Sequence, residues 1–411
     1  MNRYRMQAAT KWWSPKLNRT MVKLLRVFRR RMQLREQRLM DVTVQGAEMV
    51  RELLKEHAVL ITPNHPTHAD AYSIYAASDA VGVPFYLMTA WQVFADKSLF
   101  GRQIIRWHGS FSVDREATDM RAFRQAVEIL EKRSEPLVIF PEGEVYHCNS
   151  RVRPFREGAA VIALTAAKRA KRPVVCVPCA MWYEYLGDPQ PELSELMSEL
   201  EHRIFWRARE HMPLHERIYQ FAETALVIKE MEFLGEAGQG PLPPRVTALA
   251  EKVLQDVEQR HDAPASSGAI PERVKEMRRR AIEGLADEEI DEETRAALRA
   301  DLEDLFLVVQ LYSYPGDYVA QKPSIERMAE TLDKLEEDVL ERFSAKVRGP
   351  RRSTVAFGEP IAVEPTKDRR AAMARLTEAF ENAVQDQIDR IGSFSPAVSE
   401  ATSVGYVTRN T

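Results

Sequence analysis

Between residues 58 and 178, short apolar runs alternate with stretches whose apolar residues recur at helical spacing. That alternation restricts the chain to an α/β domain, because both element types must bury their apolar sides against each other. Strands are expected at 58–62, 84–89, 110–113, 136–140 and 173–178. Phe123, Val127 and Leu130 mark an amphipathic helix capped by Thr118 or Asp119, and residues 158–170 form another.

The character changes after Tyr185. Residues 186–345 are charged, rich in Leu and Ala and helical by pattern, with Gly- and Pro-containing breaks at 235–244 and 261–271. Basic and acidic blocks alternate from Arg278 to Asp304, which reads as a solvated helical surface. A strand pattern returns at 353–363, a helix follows from about 368 to 391, and a Ser/Thr/Val tail ends the sequence. Five segments are therefore expected: a basic arm at 1–43, a core at 44–185, a helical insertion at 186–350, a completing strand and helix at 351–392, and a mobile tail at 393–411. No internal repeat is evident.

Charge singles out the arm. Residues 1–40 hold 12 of the 58 Lys and Arg residues but one of the 61 acids, Glu36. A basic arm on an acidic body implies an anionic partner. Met21, Leu25, Phe28, Met32 and Leu39 share a helical face, Lys23, Arg26 and Arg30 lie opposite, and Trp12 and Trp13 precede the helix with rings suited to headgroup level. The expectation is an interfacial helix on an anionic membrane surface, on the cytoplasmic side. A helix packed on its own domain is the bland alternative, and no recognised nucleic-acid motif accompanies the arm. No apolar run reaches the roughly 18 residues a spanning helix needs. No secretory signal is read, and three cysteines fit a reducing compartment.

The chemistry-bearing segment is Asn64-His65-Pro66-Thr67-His68-Ala69-Asp70, directly after the apolar run Ala58-Val59-Leu60-Ile61. If His65 lies in the turn and Asp70 in the first helical turn, the carboxylate folds back onto the imidazole. It would then fix the ring tautomer and favour the imidazolium formed on proton abstraction. Asp70 at a helix start also suits the helix dipole.

Three downstream blocks agree in order and spacing: Gly109-Ser110-Phe111-Ser112-Val113-Asp114-Arg115, Phe140-Pro141-Glu142-Gly143, and Val174-Val175-Cys176-Val177-Pro178. Together with the His65 segment they resemble the four sequence blocks of the glycerolipid acyltransferase family, whose members acylate glycerol-3-phosphate or lysophosphatidate. Pro154-Phe155-Arg156-Glu157-Gly158-Ala159-Ala160 is similar to the family's continuation of the third block. The resemblance covers about 44–185 and resumes at Phe357-Gly358-Glu359-Pro360. It implies a twisted mixed sheet flanked by helices. His65 would be the general base, with Asp70 orienting it, and backbone donors near the His65 turn could stabilise the oxyanion. Arg115 would bind the acceptor phosphate, and Glu142 and Gly143 would shape the acceptor site. Asn64, Gly109, Phe140, Pro141 and Arg156 complete the expected substrate-binding set. The co-substrate would be acyl-CoA or an acyl-carrier protein, the acceptor a lysolipid, and a thioester donor requires no covalent enzyme intermediate. No other cofactor is expected, and the oligomeric state stays open.

Two departures stand out. The family block continues Thr-Arg-Ser, whereas Glu144 and Val145 follow Gly143 here, so either Arg151, Arg153 or Arg156 supplies the arginine or the acceptor is not a simple phosphomonoester. Relatives also reach the Gly-Glu-Pro strand without so long an insertion. Other features read as structural. His65 and His68 lack a convincing third metal ligand. Cys176-Val177-Pro178-Cys179 lies in a strand pattern, His147-Cys148 has no orienting group nearby, and Trp182-Tyr183-Tyr185 reads as core or groove lining. The rivals to an acyltransferase are a lipid-binding scaffold without activity and a thioesterase-like hydrolase.

Overall fold

The computed structural model describes residues 10–115, 119–263, 268–287, 289–314, 316–366 and 368–394. Its centre is a mixed sheet of β1 (Leu39–Gln45), β2 (Ala58–Pro63), β3 (Tyr86–Ala90), β4 (Ser110–Val113), β5 (Leu137–Val138), β6 (Val174–Tyr185), β7 (Arg351–Phe357) and β8 (Ile361–Val363). The order is β1-β7-β6-β2-β5-β3-β4, with β8 also on β6. From β6 to β4 neighbours run parallel, and β7 and β8 pair antiparallel to β6. The core helices are α1 (Arg19–Leu24), α2 (Arg26–Arg35), α3 (Ala47–Glu56), α4 (Asp70–Val81), α5 (Trp91–Ala95), α6 (Leu99–Trp107), α7 (Met120–Lys132) and α8 (Gly158–Ala167).

Every residue of β2 is buried. Ala58 and Leu60 pack into one cluster with α7 and α8, while Val59 and Ile61 pack into another with α3 and α4. Helices on both faces explain the unbroken apolar run, since a parallel strand has no solvent side. Asp119 caps α7 by accepting the Arg121 and Ala122 N–H groups at 3.0 and 2.9 Å. Thr118, the other expected cap, lies outside the described residues.

Helices α9 (Gln190–Phe205), α10 (Leu214–Leu234), α11 (Leu242–Arg260), α12 (Ile270–Leu285), α13 (Glu292–Ser313), α14 (Tyr318–Gln321) and α15 (Ile325–Val339) lie between β6 and β7, and α16 (Arg369–Phe394) follows β8. The helical segment has apolar clusters of its own, one on α9, α10 and α15 and one on α10 to α13. Buried ion pairs join its helices: Arg217 with Glu201 at 2.7 Å and Arg273 with Glu258 at 2.8 Å. The stretch from Arg278 to Asp304 is not simply a solvated surface. Arg278 and Asp301 are buried, and Asp301 pairs with Arg260 and His261 at 2.7 and 2.8 Å.

Several expected boundaries shift for local reasons. Leu39 does not continue the N-terminal helix. It is fully buried and opens β1, which pairs with β7. Trp12 and Trp13 do not present free rings: Trp12 packs edge-on to Phe111, and Trp13 stacks on Phe94 with centroids 5.3 Å apart. The strand expected at 136–140 shrinks to two residues, because the Phe140–Gly143 turn leaves the ladder. The strand expected at 353–363 splits into β7 and β8 at Gly358-Glu359-Pro360. Pro178 lies in β6 opposite that gap, between Cys176, paired with β8, and Cys179, paired with β7, so no ladder bond to either is lost to its missing N–H.

Strand β6 also outruns β2, whose pairing with it stops at Pro63 and Cys179. Two asparagine side chains take over the exposed backbone. Asn64 accepts the Met181 N–H at 2.7 Å and donates to the Met181 carbonyl at 3.0 Å. Asn149 does the same for Tyr183, both bonds at 2.8 Å. Each amide imitates one residue of a neighbouring strand, and the free end of the sheet is closed by loops instead of solvent.

Candidate active site

The chain leaves β2 at Pro63, turns through His65 and Pro66, and enters α4 at Asp70. That path folds Asp70 back under the ring, and His65 Nδ1 lies 2.6 Å from Asp70 Oδ2. Asp70 is fully buried, and the His65 side chain is 23% exposed. Asp70 Oδ2 also accepts the Thr67 N–H at 3.2 Å, while Oδ1 accepts the Tyr183 hydroxyl at 2.7 Å. Tyr183 and Ser73 are 2.8 Å apart, and Ser73 and Ser353 2.9 Å. With Asp70 only accepting, the protons run in one direction, from Ser353 to Ser73 to Tyr183 to Asp70. Burial and the adjacent Asp70 charge push the Tyr183 hydroxyl well above its ordinary value, so it stays a donor.

These contacts orient the imidazole in three ways. Asp70 holds Nδ1, the Phe140 ring stacks on the imidazole with centroids 4.1 Å apart, and the backbone N–H of His65 donates to Glu142 Oε1 at 3.3 Å. Nε2 remains for a substrate proton. The turn's own amides do not provide the expected oxyanion donors at two positions, because Glu142 takes the His65 N–H and Asp70 the Thr67 N–H. Burial raises the Glu142 carboxyl well above the usual carboxylate range, partly offset by the His65 N–H it accepts.

His65 opens onto a cleft of roughly 580 Å³. Its apolar wall comes from β3, α7, α8 and the end of β5, including Leu87, Met88, Phe123, Ile162 and Ile139. Arg115, Arg156 and Lys275 of α12 also line it. Arg115 donates to the Gly143 carbonyl at 2.6 Å and lies 4.0 Å from Glu144. Gly143 adopts φ +81°, and a side chain there would reach within 2.7 Å of the Arg156 guanidinium. The positive φ is what calls for glycine here, since the guanidinium ends a flexible side chain that can move aside. Arg151 pairs with Asp317, and Arg153 donates to the Tyr312 carbonyl, both in the helical segment. Of the three arginines that could replace the family's missing one, Arg156 is the one on the cleft.

Phe140, Pro141, Gly143, Arg115 and Arg156 thus line the cleft with His65. Three other expected substrate-binding residues do not. Asn64 is buried on the β6 edge, and Glu142 lies under the turn and holds its backbone. Gly109 (φ +88°) sits at the entry to β4, where a Cβ would come 2.4 Å from the Phe85 carbonyl oxygen. A cysteine nucleophile is disfavoured: all three thiols are buried, and burial raises Cys148 to about 12.

Residues 41–182 match the family model described as Acyltransferase, the glycerolipid acyltransferase family. This segment is an acyltransferase domain. Acyl transfer follows as its general reaction class. Comparison with curated proteins gave no match. The domain match ends at Trp182, one residue before the tyrosine that completes the Asp70 relay. Tyr183, Ser73, Ser353 and Asn149 were not among the expected site residues. The available signal was the length of the apolar run entering β6, which continues into Trp182-Tyr183-Tyr185.

Glu142→Gln separates the acceptor role of this side chain from its ionisation. The folded-state pKa lies well above the ordinary 4.5, so as pH rises above that value the unfolded chain releases the proton first. Wild-type stability contributed by this group is therefore lost with rising pH. Urea unfolding from about pH 5 to about pH 8 is expected to show the variant gaining on wild type as pH rises. A stability difference that stays constant, or that moves in favour of wild type as pH rises, contradicts a raised Glu142 carboxyl.

Proposed function

We propose that this protein is a peripheral membrane acyltransferase. It moves a fatty acyl group from a coenzyme A or carrier-protein thioester to the hydroxyl of a lysophospholipid-like acceptor. The observation that carries this reading is the Asp70-oriented His65 at an apolar cleft whose wall also holds Arg115, Arg156 and Lys275. An acyl chain suits the apolar wall, and a phosphate suits the guanidinium and ammonium groups.

In this mechanism His65 Nε2 takes the acceptor hydroxyl proton as the oxygen attacks the thioester carbonyl carbon. Asp70, backed by Tyr183, stabilises the imidazolium that forms. Collapse of the tetrahedral intermediate breaks the carbon–sulfur bond and expels the thiolate, which recovers the proton from His65. Ester and free thiol are the products, and no covalent enzyme intermediate is needed.

Support for a membrane surface comes from α1, α2 and α6. Leu24, Val27 and Phe28 are exposed beside the exposed Lys23, Arg30, Arg31 and Arg35, while Arg29 turns inward to Asp79 at 2.8 Å. Leu99 and Phe100 are exposed on α6, which the α1 entry abuts through Lys16 and Asn18. The apolar residues that face out are therefore not the full stripe read from the sequence: Phe28 is shared, and Leu24 and Val27 replace Met21, Leu25, Met32 and Leu39. Apolar side chains ringed by basic ones suit the headgroup region of an anionic, cytoplasm-facing leaflet. No helix among the described residues is long and apolar enough to cross a membrane.

Two experiments test the proposal. Incubation with a fatty-acyl thioester and a panel of lysophospholipids is expected to yield acylated lipid, and His65→Ala to lower that rate by about 10²–10⁴-fold. Free fatty acid without acylated lipid would favour hydrolysis, and full activity in the variant would remove His65 from the chemistry. Co-sedimentation with anionic vesicles is expected to weaken at least about tenfold on combined Leu24→Ser, Val27→Ser and Phe28→Ser substitution. Unchanged sedimentation at low salt would remove this face from membrane binding.

A further inference from the structure

Outside the reacting groups, three side chains from distant parts of the sequence meet at one point. His68 lies in the turn that carries His65, His147 on the loop between β5 and α8, and Glu337 on α15. His68 Nε2 is 2.9 Å and His147 Nε2 3.1 Å from the same oxygen, Glu337 Oε1. His147 and Glu337 are buried, and His68 is half-buried on the cleft that His65 lines. His147 holds this position with φ +51°, a conformation uncommon for a residue with a side chain.

We propose that His68, His147 and Glu337 form a site for a divalent transition-metal ion, with zinc the best-matched ion. The donor set is two imidazole nitrogens and a carboxylate, which suits zinc with a fourth position left for water or another oxygen ligand. Ligand atoms about 2.0–2.2 Å from a tetrahedral zinc stand about 3.3 Å from one another. The two nitrogen–oxygen separations are a few tenths of an ångström shorter, and all three donor atoms lie within 4.8 Å. Small side-chain shifts therefore suffice to admit an ion.

Acceptor capacity favours the metal over a purely hydrogen-bonded cluster. Glu337 Oε1 also receives the Ala345 N–H at 2.9 Å. Three donors on one carboxylate oxygen exceed its roughly two lone-pair positions. An ion bound to both imidazoles removes two of those donors, and the Ala345 amide is left to orient the carboxylate. The site joins the catalytic turn, the loop bearing Glu142 and Gly143, and the helical segment, so a bound ion would fix the cleft's wall to α15.

The full-length protein, stripped with a chelator, is to be titrated with Zn²⁺ alone and with Co²⁺ alone, following stoichiometry and the cobalt visible spectrum. One ion per chain and the intense absorption of four-coordinate cobalt are expected. Removing a direct ligand in Glu337→Gln or His147→Asn is expected to weaken binding by more than the about 10–100-fold that losing an outer hydrogen-bond partner costs. His211→Asn, a substitution at an exposed histidine, should bind as wild type does. If the variants fail to fold, the wild-type cobalt spectrum still decides. Absence of stoichiometric uptake, a six-coordinate cobalt spectrum, or undiminished binding by folded ligand variants would overturn the proposal. Metal uptake is read without acyl transfer, so its outcome is independent of the proposed reaction.

Discussion

The site depends on a strand that is longer than its neighbour. Beyond Cys179, β6 has no β2 residue beside it, and Asn64 and Asn149 supply the missing hydrogen bonds at Met181 and Tyr183. An unpaired buried amide or carbonyl costs about 1–3 kcal/mol, so the two side chains fix where the following loops lie. Asn64 is the residue before His65, and Tyr183 carries the hydroxyl on Asp70. His65 and the carboxylate bonded to its ring are thereby positioned by the sheet itself, not by a mobile loop.

The helical segment completes this arrangement from outside the acyltransferase domain. The Asn149 N–H donates to Glu330 at 3.0 Å, Arg327 reaches Ser150 at 3.1 Å, and Glu337 contacts His68 and His147. Lys275 of α12 contributes to the cleft wall. The loop from 139 to 157 is buried along much of its length, and a buried loop needs polar partners that the sheet alone does not give. Tyr318 of α14 and Arg327, Glu330 and Glu337 of α15 supply them, so the segment after β6 shapes the cleft beside His65 and does not merely extend the chain.

The parts of this site that are local in sequence were legible from it. His65 and Asp70 are five residues apart across one strand-to-helix turn, and the buried strands announce themselves by continuous apolar runs. What sheet order brings together was not. Tyr183 meets Asp70 because β6 lies beside β2, and no spacing along the chain encodes that neighbour. Asn64 and Glu142 belong to the right blocks, yet both point to backbone and not to the cleft. Strand β1 was hidden because the polar Asp41, Thr43 and Gln45 interleave its apolar residues next to a basic helix. Helical periodicity placed apolar residues on a face in the arm, but could not show that Trp12 and Trp13 pack inward and that Leu24 and Val27 face out.

In the proposed mechanism Asp70 acts through His65 on the acceptor's proton. The direct test is the steady-state kinetics of acceptor acylation by Asp70→Asn, with the fold checked by circular dichroism. Asparagine keeps the size of the side chain but removes the charge that favours the imidazolium. The expected result is a kcat lower by about 10²–10⁴-fold with the acceptor KM little changed. A folded variant with wild-type kcat, or one affected only in KM, would contradict it.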